Sequence, residues 1–360
     1  MLDMPILVTK PFLPPIEDYQ RFIEDLWQSK MLSNNGKYVQ QLEDILKTYL
    51  NVPELLYCTN GTVALQLAIK ALGLTKEIIT TPFSYVATIN SIIWENCTPI
   101  FADINADDLC IDAKKIEAKI TKNTEAILAT HVFGHACDIE AIEAIATKYQ
   151  LKVIYDAAHC FGSKYKEKSL FSFGDITTGS FHATKLFHTT EGGCVVTNNK
   201  ELSNIVAAKR DHGFINKHSE TFGINARQSE FHAAMGICNF KYIDAILNKR
   251  KSDAALYLSL LKNTTLSYPV IKKQEEYNHA YFPVIFPNES SLLKSMQLLE
   301  DNKIYCRRYF YPSLNTLPYL TKSSCEIAED VSRRVVCLPM YHDLSEQEIN
   351  HICNLICQSI

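Results

Sequence analysis

A chain of 360 residues, 47% hydrophobic and 21% charged, has the composition of a folded protein with a sizeable core and room for two domains. Its formal net charge of −4 argues against broad nucleic-acid binding, which needs a basic face, and no run of about 18 apolar residues suggests a membrane span. The opening Met1-Leu2-Asp3-Met4-Pro5 lacks the pattern of a signal peptide, and the 12 scattered cysteines, with no Cys-x-x-Cys pair, suggest reduced thiols and a cytoplasmic protein.

Thr9 to Pro15 reads as extended and proline-rich. Apolar residues at Tyr19, Phe22, Ile23, Leu26 and Trp27 keep helical spacing, and a turn at Leu32-Ser33-Asn34-Asn35-Gly36 leads to a second helix through Val39, Leu42, Ile45, Leu46 and Tyr49. Strands and helices then alternate. Leu55–Cys58 is a strand and Thr62–Leu72 a helix; Glu77–Thr81 a strand and Ser84–Trp94 a helix. Thr98–Ala102 is a strand and Ala113–Ile120 a helix; Ala126–Thr130 a strand and Ile139–Tyr149 a helix. Lys152–Tyr155 is a strand ending at Asp156. Apolar strands separated by helices predict an α/β fold with a mainly parallel sheet covered on both faces. Beyond residue 200 the pattern loosens: a helix at Leu202–Asp211, a polar loop at His212–Ser219, and one long helix from Ser229 to about Lys249. A strand at Ala280–Phe286 follows, with helices near Ser290–Asn302 and Ser345–Ser359. Cys353 and Cys357, one turn apart, read as a buried helix face. The expectation is a large α/β domain over 1–240 and a smaller α+β domain over 241–360.

The segment Ser180-Phe181-His182-Ala183-Thr184-Lys185, followed by Glu191-Gly192-Gly193, is rich in polar groups around one lysine. Lys185 reads as a nucleophilic amine that holds a carbonyl cofactor, provided its site is desolvated enough to keep it partly neutral. Pyridoxal phosphate (PLP) needs further groups, and each has a candidate. Gly61 and Thr62 open a helix, where unpaired N–H groups bind phosphate; the same residues also suit an ordinary helix cap. Asp156, at the carboxyl end of a strand, would keep the pyridine nitrogen protonated; alone it also suits a turn. His159 would donate to the ring oxygen. Tyr85 would stack on the ring, with Phe83 as its rival. No metal site is read, and no Gly-x-Gly-x-x-Gly follows the first strand.

In chain order the motifs are Asn60-Gly61-Thr62, Thr81-Pro82-Phe83-Ser84-Tyr85-Val86-Ala87-Thr88 and His131-Val132-Phe133-Gly134. Asp156-Ala157-Ala158-His159, Phe173-Gly174-Asp175, Ser180 to Lys185 and Glu191-Gly192-Gly193 follow. Together they resemble the DegT/StrS-like sugar-nucleotide aminotransferases of PLP fold type I, over about residues 8–345. The resemblance implies Lys185 as the lysine bound to PLP, Asp156 at the pyridine nitrogen, His159 near the ring oxygen, Ser180 with Gly61 and Thr62 at the phosphate, and Tyr85 stacking. It also implies a homodimer with active sites at the subunit interface, in which Asn225 reaches the partner's cofactor phosphate. L-glutamate and a nucleotide-linked keto sugar are the implied substrates. A branch with histidine in place of the lysine dehydrates; Lys185 favours transamination. The active-site segment is most similar to members that aminate dTDP-4-keto-6-deoxyglucose at C4, for surface polysaccharide synthesis. Amination at C3 of an isomeric 3-keto sugar, or another PLP-dependent sugar-nucleotide reaction, is the alternative. Gly36 is followed by Lys37, where relatives often have proline, and Leu314 stands where a histidine is common.

Overall fold

The computed structural model describes residues 4–216 and 218–360. Its centre is a seven-stranded sheet in the order Glu54–Cys58, Gly193–Thr197, Ile176–Ser180, Lys152–Asp156, Thr124–Thr130, Glu77–Thr80, Thr98–Phe101. Only Gly193–Thr197 runs against the others. The inner strands are buried almost throughout, which is why they read as continuous apolar runs rather than alternating ones. Helices Gly61–Ala71 and Lys200–Arg210 belong to the layer around Leu65, Ile69, Ile78, Ile154, Ile176 and Val206. Leu42, Leu46, Ile127, Val153, Phe181 and Phe187 belong to a second apolar cluster.

The direction of the strands creates the site. Ser180 pairs with Gly193, Gly193 with Cys58, and Asp156 with Thr178. The carboxyl ends of Glu54–Cys58, Lys152–Asp156 and Ile176–Ser180 therefore lie at one edge with the beginning of the antiparallel strand. Ligands of open α/β sheets gather at that edge.

A second, smaller sheet pairs Phe282–Ile285 with Val335–Leu338. Helices Ile243–Leu261, Glu289–Asp301 and Glu346–Ser359 pack around it through Tyr257, Val284, Leu292, Leu299, Ile352 and Ile356. Ile6–Leu7 pairs with Ile304–Tyr305, so the start of the chain sits with elements near its end. Long-range pairing of two-residue strands leaves no local signal.

Several expected elements differ. The helix expected over Ser229–Lys249 is two, Glu230–Phe240 and Ile243–Leu261. The first tightens at its end, where the Tyr242 and Lys241 amides bond three residues back to Asn239 and Cys238. Tyr242 leaves helical geometry at φ −106°, ψ 4°; its hydroxyl meets Asp18 at 3.2 Å and its ring lies 5.2 Å from Phe12. The tertiary contacts of Tyr242 accompany a turn that apolar spacing does not reveal. The helix expected from Ser84 begins at Ala87, and the Ser84 hydroxyl instead bonds to Thr88 and Thr130. The helix expected over Ala113–Ile120 ends at Ile116 and continues as a 3₁₀ turn over Glu117–Lys119. The expected loop at His212–Ser219 contains a hairpin, Phe214–Ile215 against His218–Ser219. Cys353 is buried, but Cys357 faces solvent. All 12 cysteines are free thiols, and among the described residues no helix is long and apolar enough to cross a membrane.

Candidate active site

A cavity of about 560 Å³ opens at the carboxyl edge of the sheet. It is lined by seven of the eight residues that the sequence singles out: Gly61, Thr62, Tyr85, Asp156, His159, Ser180 and Lys185. Its size falls in the range of about 300–1,000 Å³ usual for small-molecule sites.

The floor at one end is the turn into helix Gly61–Ala71. Asn60 caps it, its side-chain oxygen accepting from the Val63 amide at 2.9 Å. That leaves the amides of Gly61 and Thr62 without acceptors among the described residues, pointing the positive end of the helix into the cavity. Ser180 crowds this turn: a Cβ on Gly61 would come within 2.8 Å of the Ser180 Cβ. Gly193 is tighter still. A Cβ there would meet the Asn60 carbonyl carbon at 2.4 Å and the Gly61 nitrogen at 2.8 Å. Capping and anion binding are thus not rival uses of the turn, because Asn60 does one and leaves Gly61 and Thr62 for the other.

Asp156 is 6% exposed. Its Oδ2 accepts from the Thr88 hydroxyl at 2.8 Å and its Oδ1 from the Ala158 amide at 3.1 Å. Thr88 is held in turn by Ser84, which also reaches Thr130. Burial pushes the Asp156 carboxyl above the usual aspartate range, opposed by those two bonds and by the charge of Lys185. Thr88 belongs to the site, though sequence reasoning gave it no role; the small hydroxyl residues after a strand end were the available signal.

His159 accepts the Phe133 amide at Nδ1, 3.1 Å away. That bond places its proton on Nε2 and makes that nitrogen the donor. Burial, then the charge of Lys185, holds its pKa well below the ordinary histidine value, so the ring is neutral. Phe310 stacks on it at 5.8 Å and Tyr281 meets it edge-on at 4.9 Å.

Lys185 is half-buried, and desolvation lowers its pKa, against the pull of Asp156. Its Nζ donates to the Tyr281 hydroxyl at 3.2 Å. Between the two aromatic candidates the structure separates clearly. Tyr85 is 55% exposed and lines the cavity; Phe83 is fully buried, edge-on to Phe133 and Phe310. Of the residues around Lys185, His182 also lines the cavity, its Nε2 3.5 Å from Glu191. Phe187, His188 and Thr189 do not: all three are buried, with His188 bonded to the Phe12 carbonyl at 2.7 Å. Their part in the motif is packing.

Asn225 is not brought to this cavity. It is exposed, bridges to Asp211, and accepts from Arg227 at 3.3 Å. Tyr281, Arg307, Tyr309 and Phe310 also line the cavity, and of these Tyr281 is one to which the sequence gives no role.

The donor set fits PLP. Two open amides and a hydroxyl suit a phosphate, a buried carboxylate suits a protonated ring nitrogen, and an amine whose pKa desolvation lowers suits a carbonyl. Among the described residues no group of three or more His, Cys, Asp or Glu side chains is placed to hold a metal ion.

Comparison with known proteins places the whole chain. Residues 16–357 match the model of the DegT/DnrJ/EryC1/StrS aminotransferase family. The chain is 38% identical over 363 residues to a dTDP-4-amino-4,6-dideoxy-D-glucose transaminase of Shigella dysenteriae, covering 99% of both chains. It is 33% identical over 346 residues to a GDP-perosamine synthase of Escherichia coli O157:H7, covering 94% of both. Among solved structures, DesI in the presence of its TDP-sugar product superposes with a TM-score of 0.94 at 28% identity, over 99% of this chain and 94% of that one.

Proposed function

The chain belongs to the DegT/DnrJ/EryC1/StrS aminotransferase family, and from that premise we propose that it transfers the amino group of L-glutamate to C4 of dTDP-4-dehydro-6-deoxy-D-glucose, with PLP as cofactor. The product is dTDP-4-amino-4,6-dideoxy-D-glucose. One observation carries the chemistry: Lys185, Asp156, His159 and the open amides of Gly61 and Thr62 line one cavity. The choice of sugar rests on the likeness to the Shigella transaminase.

PLP, when bound, supplies a carbonyl that condenses with amines and a ring that takes up the electrons of the neighbouring carbanion. The protein does the rest. Gly61, Thr62 and Ser180 hold the phosphate through amide and hydroxyl donors. Asp156 keeps a proton on the ring nitrogen, and its burial strengthens that pairing. His159 donates from Nε2 to the ring oxygen. Tyr85 covers a ring face. Lys185 would hold the cofactor's carbonyl through Nζ and, as a free amine, would carry a proton away from Cα of glutamate. In the second half it delivers a proton to C4 of the sugar.

Asn225 is not among the residues that line its own cavity, and the exposed apolar residues Phe222 and Ile224 precede it closely in the chain. We assign this segment to the partner's site in a homodimer, and the large and small units to residues 1–240 and 241–360. The free thiols and the nucleotide-sugar substrate suit a cytoplasmic enzyme.

The test is incubation with PLP, L-glutamate and dTDP-4-dehydro-6-deoxy-D-glucose, with the product identified by NMR and the mass by light scattering. A C4 amine, 2-oxoglutarate and a dimer are expected. A 3-amino product from the isomeric 3-keto sugar, a preference for the GDP-linked sugar, or a monomer each overturns its part of the reading.

The tightness at Gly193 gives a further expected outcome. Gly193→Ala must displace the backbone at Asn60 and Gly61, so PLP affinity should fall by at least ~10-fold, the scale of about one lost hydrogen bond to a charged group. Spectroscopic titration of apoenzyme with PLP measures it. Unchanged affinity would show that this turn does not hold the phosphate.

A further inference from the structure

Tyr281 stands 96 residues from Lys185 in the chain and belongs to the other half of the molecule. Its hydroxyl is nevertheless the side-chain partner of the Lys185 amine, at 3.2 Å. The approach is strongly constrained. The Tyr277 hydroxyl bonds to the Tyr281 carbonyl at 3.2 Å, and the buried Arg250 bonds to the carbonyl of Ala280 at 3.0 Å. Asn278 donates to the carbonyls of His159 and Phe161 at 2.8 and 2.9 Å, while its own oxygen accepts from the Ala280 amide. The segment before Tyr281 is thereby tied to the loop that carries His159. The ring is boxed in by His159 at 4.9 Å and by Phe133 and Tyr309 at 5.7 Å each. Immediately after it begins the strand Phe282–Ile285, which fixes the other side.

We propose that Tyr281 is the positioning residue of Lys185: its hydroxyl holds Nζ in one place and orientation once the lysine has been released from the cofactor. The proposal rests on the assignment of Lys185 as the cofactor lysine. A lysine on a four-carbon stem has many rotamers, and proton transfer needs the amine within about 3 Å of the carbon it serves. A phenol suits this duty better than a carboxylate. Burial raises the Tyr281 pKa, so the hydroxyl keeps its proton, adds no negative charge and does not lock Lys185 as a cation. A rigid ring also brings less freedom to its hydroxyl than a longer polar chain does.

Tyr281→Phe removes the hydroxyl and keeps the ring, so packing around His159 and Phe133 stays while the bond to Lys185 is lost. Two measurements are needed. The first is the single-turnover conversion of PLP-loaded enzyme by glutamate, followed by absorbance; it should slow about 10- to 10²-fold, the size expected for a displaced reacting group. The second uses apoenzyme: competitive labelling with acetic anhydride across pH, read by mass spectrometry at Lys185. A hydroxyl that accepts from an ammonium favours the cation, so its loss should move the labelling midpoint down by roughly half a pH unit or more. A role in packing alone moves neither. A rate constant that stays, or a midpoint that stays or rises, overturns the proposal. If Y281F does not fold, Y281M, which lacks the hydroxyl and fills the volume flexibly, is judged on the same two criteria. Wild-type enzyme that takes up no PLP identifies the parent assignment as the failure, and the proposal falls with it.

Discussion

Lys185→Ala is expected to abolish the absorption band of the lysine-bound cofactor and to lower kcat by at least ~10⁴-fold, about 5.5 kcal/mol in the barrier. The spectrum would change because Nζ is the atom we propose binds the cofactor's carbonyl. The rate would change because the same atom is proposed to carry the proton, and no neighbour is placed to replace it. His159 spends Nδ1 on the Phe133 amide and is held neutral by burial. Asp156 is tied to Thr88 and Ala158. Tyr281 is a phenol kept protonated by burial. A small added amine such as methylamine should restore part of the rate in proportion to its concentration, since alanine leaves room at that position.

The stability of the apoenzyme gives a separate check on the same substitution. Desolvation lowers the Lys185 pKa in the folded chain. Between that lowered value and the ordinary lysine value of about 10.4, the unfolded chain holds a proton that the folded chain has lost. Stability therefore rises with pH through that window, and below it the wild type bears the full cost of a buried charge. K185A lacks the cost, so apo K185A should gain relative to apo wild type below the window and lose that advantage above it. Denaturant midpoints at two pH values measure this. A lysine-bound cofactor band that survives unchanged in K185A, or a loss of activity under ~10²-fold, would remove Lys185 from the chemistry.

How far the sequence goes is clearest in particular residues. Asp156 could be placed at a strand's carboxyl end because Val153-Ile154-Tyr155 is an apolar run of strand length, and helix Ile139–Tyr149 has the bounds that its spacing predicts. Lys185, Ser180, Gly61 and Thr62 fall in local motifs, and the strand order then brings those motifs to one edge. Three things were not legible. Phe83 and Tyr85 both follow the same strand, and only the surrounding core decides that Phe83 is buried against Phe133 and Phe310 while Tyr85 stays open. His188 and Thr189 sit four residues or fewer from Lys185, yet the chain turns them inward to Phe12 and Glu191. Tyr281 reaches Lys185 from 96 residues away in the chain, a contact no periodicity encodes. Residues whose role depends on local backbone were readable; residues delivered by tertiary packing were not.

Asp156→Asn should separate function from stability in opposite directions. The loss of the buried carboxylate would remove the group proposed to keep the pyridine nitrogen protonated, and kcat should fall about 10³-fold, the size associated with one preorganised electrostatic group. The substitution is otherwise easy to accommodate. Asn Oδ1 can accept from the Ala158 amide as Asp156 does, and its amide can donate to the Thr88 hydroxyl. Thr88 then turns its own proton toward Ser84, whose bonds to Thr88 and Thr130 allow either direction. The apoenzyme should gain. Burial holds the Asp156 pKa above the usual aspartate range, so over a window above about 4 the folded chain keeps a proton that the unfolded chain has lost. Stability falls as pH rises through that window, and above it the wild type carries the full penalty. Asparagine carries none. Apo D156N should thus be more stable than apo wild type at pH 7–8, with the difference closing as pH drops below about 4. Lys185 would lose its attraction to Asp156 and its pKa would fall further, which limits the gain because less of the lysine's charge is then retained in the folded chain. Thermal or urea denaturation of both apoenzymes at pH 8 and pH 4 decides the matter. An apo D156N that is weaker at pH 8 would mean that the carboxylate is a structural anchor first, and a kcat within ~10-fold of wild type would mean that it does not serve the cofactor.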